Sequence, residues 1–327
     1  GLAWEHAATG MSPSAAGRAS SVDFNAQTYE VWHSGTSQTP FPAHLKARTV
    51  VFDPPYFDLE KAPNVRGVVN WGAHDPGISR GSRPEGLQDE VLERFGEYPA
   101  RESMYDVVWP SVSLTRTMSD TLVKATHARA KAAQWLLEER CTDWDFGFIV
   151  AGEIHSAIEN LWHGIDPDHA FHDAPSAREA SEGLRAVYRA TDELVCRLVR
   201  AFPDTTVVAF AMNGMGPNGS DVASMLLLPE LLHRKHYQKP LLRTPPAWSR
   251  ASSGTPMLKG DIPWSQVIKT QIRQLPEPLD SARRFAAWAL PEVIKQYLRP
   301  NPPKPFHDAS GVLKLPFDWM PSSVYQP

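Results

Sequence analysis

The sequence predicts an α/β fold, a largely parallel sheet with helices on both faces, on three observations. First, short β-branched apolar runs recur: RTVVF at 48–52, VRGVVNW at 65–71, FGFIVA at 146–151 and TTVVAFAM at 205–212. Runs of that length without polar alternation read as strands covered on both sides. Second, the stretches between them carry the helical period, with apolar residues three, four or seven apart. Third, strand and helix alternate along the chain, the order that builds parallel sheets.

Taken in order, 48–52 and 65–71 are the first two strands, and Met118, Leu122, Ala125, Ala132, Trp135 and Leu136 form one face of a long helix. The strand at 146–151 follows. Leu184, Val187, Tyr188, Leu194, Val195, Leu198 and Phe202 make a second helical stripe. Ser176, with Glu179 three residues on, reads as a capping box near its start, and Pro203 stops it. The last strand is 205–212. These stripes are core packing and carry no chemistry. Beyond about Leu242 the texture turns proline-laden (RTPPAWSR, LPEPL, RPNPPKP), with one helix expected around 280–298. The division expected is an α/β domain over 1–240 and an accessory or cap segment over 241–327.

Bulk properties narrow the function classes. The 327 residues, 42% apolar and 21% charged, suffice for one large or two ordinary domains with a real core. A net charge of -4 leaves no global electrostatic case for nucleic acid or an anionic membrane. The 30 prolines exceed the ordinary share of about 5% and predict long loops of fixed backbone. Cys141 and Cys196 form no C-x-x-C pair, so neither a disulfide framework nor a cysteine zinc site is readable. No run of 18 apolar residues and no signal-peptide pattern occurs, which makes a cytoplasmic location the expectation.

The chemistry concentrates at IVAGEIHSAIENLWHGIDPDH, residues 149–169, where a strand runs out. In α/β sheets, sites gather at the carboxyl ends of strands. Glu153, His155, Glu159 and His163 offer imidazole and carboxylate groups suited to zinc or manganese. If the stretch from His155 is helical, His155, Glu159 and Trp162 share a face with His163 beside it. On spacing alone, with H-E-x-x-H absent, solvated groups at a helix start are the preferred reading. DPDHAFHD reads as a surface turn. NGMGPNGS lacks the lysine and spacing of a phosphate loop, and WGAHDPG is a turn whose His74–Asp75 pair reads as structural. Without G-x-S-x-G, a serine hydrolase triad has no anchor.

In combination the segments resemble the phosphodiesterase and nucleotide-pyrophosphatase branch of the alkaline phosphatase superfamily. AWEHAATGMSPSAAGR is similar to that branch's segment after the nucleophile. VFDPPYFDLEKAPNVRGVVNWGAHDPG resembles its following strand-and-turn stretch, and DFGFIVAGEIHSAIENLWHGIDPD its D-x-x-x-H metal-ligand segment. YRATDELVCRLVRAFPDTTVVAFAMNGMG resembles its Y-x-x-x-D…SDHG segment, and LLLPELLHR its leucine-rich one; the matches are colinear to about Arg234. The resemblance implies a three-layer α/β/α sandwich, alkaline-phosphatase-like, hydrolysing a small phosphate ester with divalent zinc or manganese. By Thr9–Gly10 the nucleophile is expected at or just before Gly1. His155 takes the place of the ligand Asp and Glu159 that of the ligand His, with Glu153 as a further ligand. Met212 and Asn213 replace the Asp-His of SDHG, and Met is a poor ligand for such cations. Asn213, Trp162 and His163 are the substrate-side candidates. The alternative the resemblance allows is a catalytically degenerate member that binds or scaffolds.

Overall fold

The computed structural model describes residues 2–25, 27, 31–36, 38–74, 77–101, 111–169, 171–212, 214, 231, 234–238, 240, 248–250 and 256–258. The chain opens with helices α1 (Leu2–Thr9) and α2 (Pro13–Ala16), then a two-stranded antiparallel ribbon, β1 (Val22–Phe24) with β2 (Val31–His33). The central sheet follows: β3 (Thr49–Phe52), β4 (Val65–Val69), β5 (Gly81–Arg83) and β6 (Phe146–Ile149). Helices α3 (Leu87–Phe95), α4 (Val112–Trp135), α5 (Glu153–Leu161) and α6 (Ala177–Ala201) complete the main body. A short antiparallel pair, β7 (Trp248–Arg250) with β8 (Pro256–Leu258), lies far along the chain. Asn213 and the helix expected around 280–298 lie outside the described residues.

The sheet runs β5-β4-β3-β6, with β3 parallel to both β4 and β6 and only β5 antiparallel. The class is therefore α/β with a mostly parallel sheet, as the alternation of periods predicted. All four residues of β3 are buried, which is why TVVF reads as an unbroken apolar run. Its successive side chains go to opposite faces. Val50 and Phe52, with Val68 and Trp71, enter a core shared with Leu87 and Val91 of α3, Met118 and Leu122 of α4, Leu161 of α5 and Leu184 of α6. Val51, Val65 and Val69 enter a second core with Phe57, Leu59, Ala62 and Ala8 of α1. The helices α3 to α6 thus load one face, and the other carries α1 and the loop before β4.

Both expected helical stripes exist. Met118, Leu122, Ala125, Ala132, Trp135 and Leu136 are all buried, and Ser111 caps α4 by accepting Leu114 N–H. On α6 the buried set is Ala180, Gly183, Leu184, Val187, Ala190 and Leu194, while Tyr188 stays exposed. Ser176 does stand at the start of α6, but its hydroxyl makes no capping bond there and pairs with His163 instead.

The fourth expected strand does not form. Residues 206–211 are irregular, with Val207, Val208 and Phe210 exposed at 45%, 75% and 67%. An apolar β-branched run becomes a strand only when a neighbour takes its backbone hydrogen bonds. Among the described residues, β6 ends the sheet with no strand on its outer side.

Candidate metal centre

Three parallel strands bring their carboxyl ends to one edge of the sheet, the usual place for a site in this class. Asp53 leaves β3 in the left-handed region at φ 64°, a conformation its short side chain tolerates. Its carboxylate, fully buried, accepts Trp71 N–H at 2.8 Å and Gly72 N–H at 2.7 Å, so it holds the exit of β4. Asn70, also left-handed at φ 57°, donates its amide to the Ile78 carbonyl at 2.8 Å. Together these bonds shape the turn that presents His74. From β6, Gly152 leads into α5. A Cβ at Gly152 would come within 3.1 Å of the His74 Cβ, so glycine lets the two exits approach.

Above this scaffold, His74, His155 and Glu159 converge, with one ligand atom from each within 4.8 Å of the others. His155 and Glu159 are one turn apart on α5, and His155 Nε2 lies 3.0 Å from Glu159 Oε1. His74 Nε2 approaches the other carboxylate oxygen at 3.6 Å, and the two imidazole rings are 4.3 Å apart. Burial raises the Glu159 carboxyl, but the hydrogen bond from His155 and the nearby His74 imidazole outweigh it and hold the group at about 2. It is therefore a carboxylate throughout the neutral range. Two imidazoles and a carboxylate form a donor set that suits a divalent transition ion, with the half-exposed side of His155 and Glu159 open to solvent.

Below lies a buried ionic network. Arg129 of α4, fully enclosed, donates to Glu153 Oε1 at 2.8 Å, to Asp53 Oδ2 at 2.7 Å and to the Gly72 carbonyl at 2.6 Å. Tyr98 donates its hydroxyl to the same Glu153 oxygen at 2.8 Å. Although burial works against it, the charges of Glu153 and Asp53 raise the Arg129 guanidinium, which stays a cation. Burial and the Glu153 charge push the Tyr98 phenol well up, so it remains protonated.

The residues expected from sequence separate into two groups. His155 and Glu159 come together as the helical spacing required. Glu153 does not join them: it is fully buried and is bound to Arg129 and Tyr98. The third member of the cluster is His74, which sequence reasoning set aside as a turn residue. Trp162 and His163 leave the expected face because α5 ends at Leu161 and a 3₁₀ turn, Trp162–Gly164, redirects the chain. Trp162 packs against the core and donates its indole N–H to Asp166 at 3.2 Å. His163 is buried, 3.1 Å from Ser176 Oγ, and burial followed by repulsion from His169 lowers it to about 4. Asp166–His169 form the surface turn expected, with Asp168 N–H closing onto Asp166 Oδ1.

A cavity of about 640 Å³ lined by Leu137, Trp144, Asp145, Phe202 and Thr205 opens beside the start of β6. It lies at the opposite end of that strand from the triad. Among the described residues, no helix is long and apolar enough to cross a membrane. No protein-family model matches the chain, and no curated protein or solved structure matches it either.

Proposed function

We propose that the protein is a divalent-metal-dependent phosphohydrolase of phosphodiesterase type, acting on a small phosphate ester. The observation that carries the reading is the convergence of His74, His155 and Glu159 from two strand exits at the carboxyl edge of a parallel sheet. On this reading the sheet is the middle of a three-layer α/β/α sandwich of alkaline-phosphatase type, and the cofactor is zinc or manganese. The ion, when bound, would polarise a phosphoryl oxygen and lower the pKa of water. The chain's own part is to hold two imidazole nitrogens and one carboxylate in place and to keep Glu159 ionised. It also leaves solvent access on the His155 side. Asn213 remains proposed on the substrate side by resemblance alone, whereas Trp162 and His163 face the core.

One observation favours a second reading, a non-catalytic binding protein. Among the described residues there is a single three-donor cluster, whereas paired-ion catalysis needs two. The test is elemental analysis of purified protein together with turnover of bis-p-nitrophenyl phosphate. Near-stoichiometric zinc or manganese, lost with activity in His155→Ala, supports the enzyme. Bound metal without turnover supports the second reading, and no metal under any loading condition defeats the enzyme.

A further inference from the structure

We propose that Arg129 is the positioning residue that sets the distance between the two histidines of the site. The proposal rests on the metal reading for its purpose, though its geometry stands without it. The guanidinium offers a planar fork of donors. Its three acceptors belong to three different strand exits: Asp53 after β3, the Gly72 carbonyl after β4 and Glu153 after β6. His74 follows Gly72 by two residues and His155 follows Glu153 by two residues. One rigid group therefore fixes both loop bases, and the imidazoles hang a short backbone length from it.

The surroundings keep that group in one pose. Its carbon lies 5.3 Å from the Tyr98 ring centre, 5.8 Å from Trp71 and 5.9 Å from Phe52, an aromatic wall that excludes water. Tyr98 also binds Glu153, and its ring stands where a Cβ on Gly72 would be. Removing two carboxylates and a guanidinium from water is expensive, and buried ion networks often contribute nothing net to stability compared with apolar packing. A network whose burial is costly yet links all three strand exits beneath the His–Glu cluster is explained by the geometry it imposes.

Cobalt(II) is the probe, because its visible absorption reports ligand geometry. Arg129→Lys keeps the charge and loses the fork. The triple variant Arg129→Met with Asp53→Asn and Glu153→Gln removes the fork without stranding a charge, and Tyr98→Phe provides a milder perturbation if either fails to fold. In variants that retain the wild-type circular dichroism and cooperative unfolding, cobalt affinity should fall about 10- to 100-fold, with a changed absorption band. In the metal-free protein, nuclear Overhauser contact between the His74 and His155 rings should weaken. Folded variants that keep both the ring contact and the wild-type cobalt spectrum overturn the positioning role. A wild-type protein that ignores cobalt while the variants still lose the ring contact overturns the metal reading and leaves the positioning role standing.

Discussion

Acidification between pH 6.5 and 4 tests the buried histidine. His163 packs between the end of α5 and the start of α6, beside Ser176 Oγ and the His169 ring, whose centre is 6.0 Å away, and His172 binds its carbonyl. Burial first, and repulsion from His169 second, lower it from 6.5 to about 4 against a backbone hydrogen bond at Asn160 that opposes the change. Within that window the unfolded chain binds a proton that the folded chain refuses. Stability is therefore highest above 6.5, falls as pH drops and reaches its full loss below about 4. At about 1.36 kcal/mol per pKa unit the loss is on the order of 3 kcal/mol. The carboxylates act elsewhere: Glu159, held at about 2, loses its contribution only as pH falls below the ordinary carboxyl range. Urea unfolding at half-unit pH steps reads the slope, which His163→Gln should flatten. A flat wild-type curve over this window, or an equal slope in the variant, refutes the assignment.

Four further outcomes follow from the packing and the site. His155→Ala should lower zinc affinity by about 100-fold or more, since one of three donors is lost, and competition with a chromogenic chelator measures it. Metal affinity in the wild type should fall on acidification because protons compete for the imidazole nitrogens, a trend that titration at two pH values detects. Arg129→Met alone strands Asp53 and Glu153 as buried anions and should cost about 3–5 kcal/mol in denaturant unfolding; a cost under about 1 kcal/mol would contradict the enclosed ion network. Gly183→Ala drives a methyl into Ser119 where α6 crosses α4, costing about 1–3 kcal/mol, and Ser119→Gly in the same chain should recover much of it.

The sequence made the sheet and both long helices legible because each buries a full stripe or a full run. β3 is enclosed on both faces, and α4 hides the residues that its period singled out. The run at 205–212 misled because strand composition describes a surface waiting for a partner, and composition says nothing about whether the partner is there. Two of the three clustered donors were visible: His155 and Glu159 are four apart on a helix, a local relation. Glu153 was misassigned because an acid at a strand exit looks the same whether it faces solvent or a buried arginine. His74 and Arg129 were missed since their roles depend on contacts across 81 residues and 76 residues of chain, from His74 to His155 and from Asp53 to Arg129. The signal for His74 lay in its place just after a strand, the same signal that promoted His155. For Arg129 there was none: an arginine in an amphipathic helix ordinarily faces water.

The exposed run after α6 has a consequence for how the molecule behaves in company. Val207, Val208 and Phe210 follow from the end of α6 with their side chains exposed. Exposed apolar, β-branched chain favours association with other extended polypeptide. A sample of this chain at high concentration should therefore associate through 207–210, with a propensity that a single charge at Val208 or a proline within that run suppresses. The His–Glu cluster and this apolar run come from different elements: the carboxyl end of β6 leads to His155 and Glu159, while 207–210 follows α6.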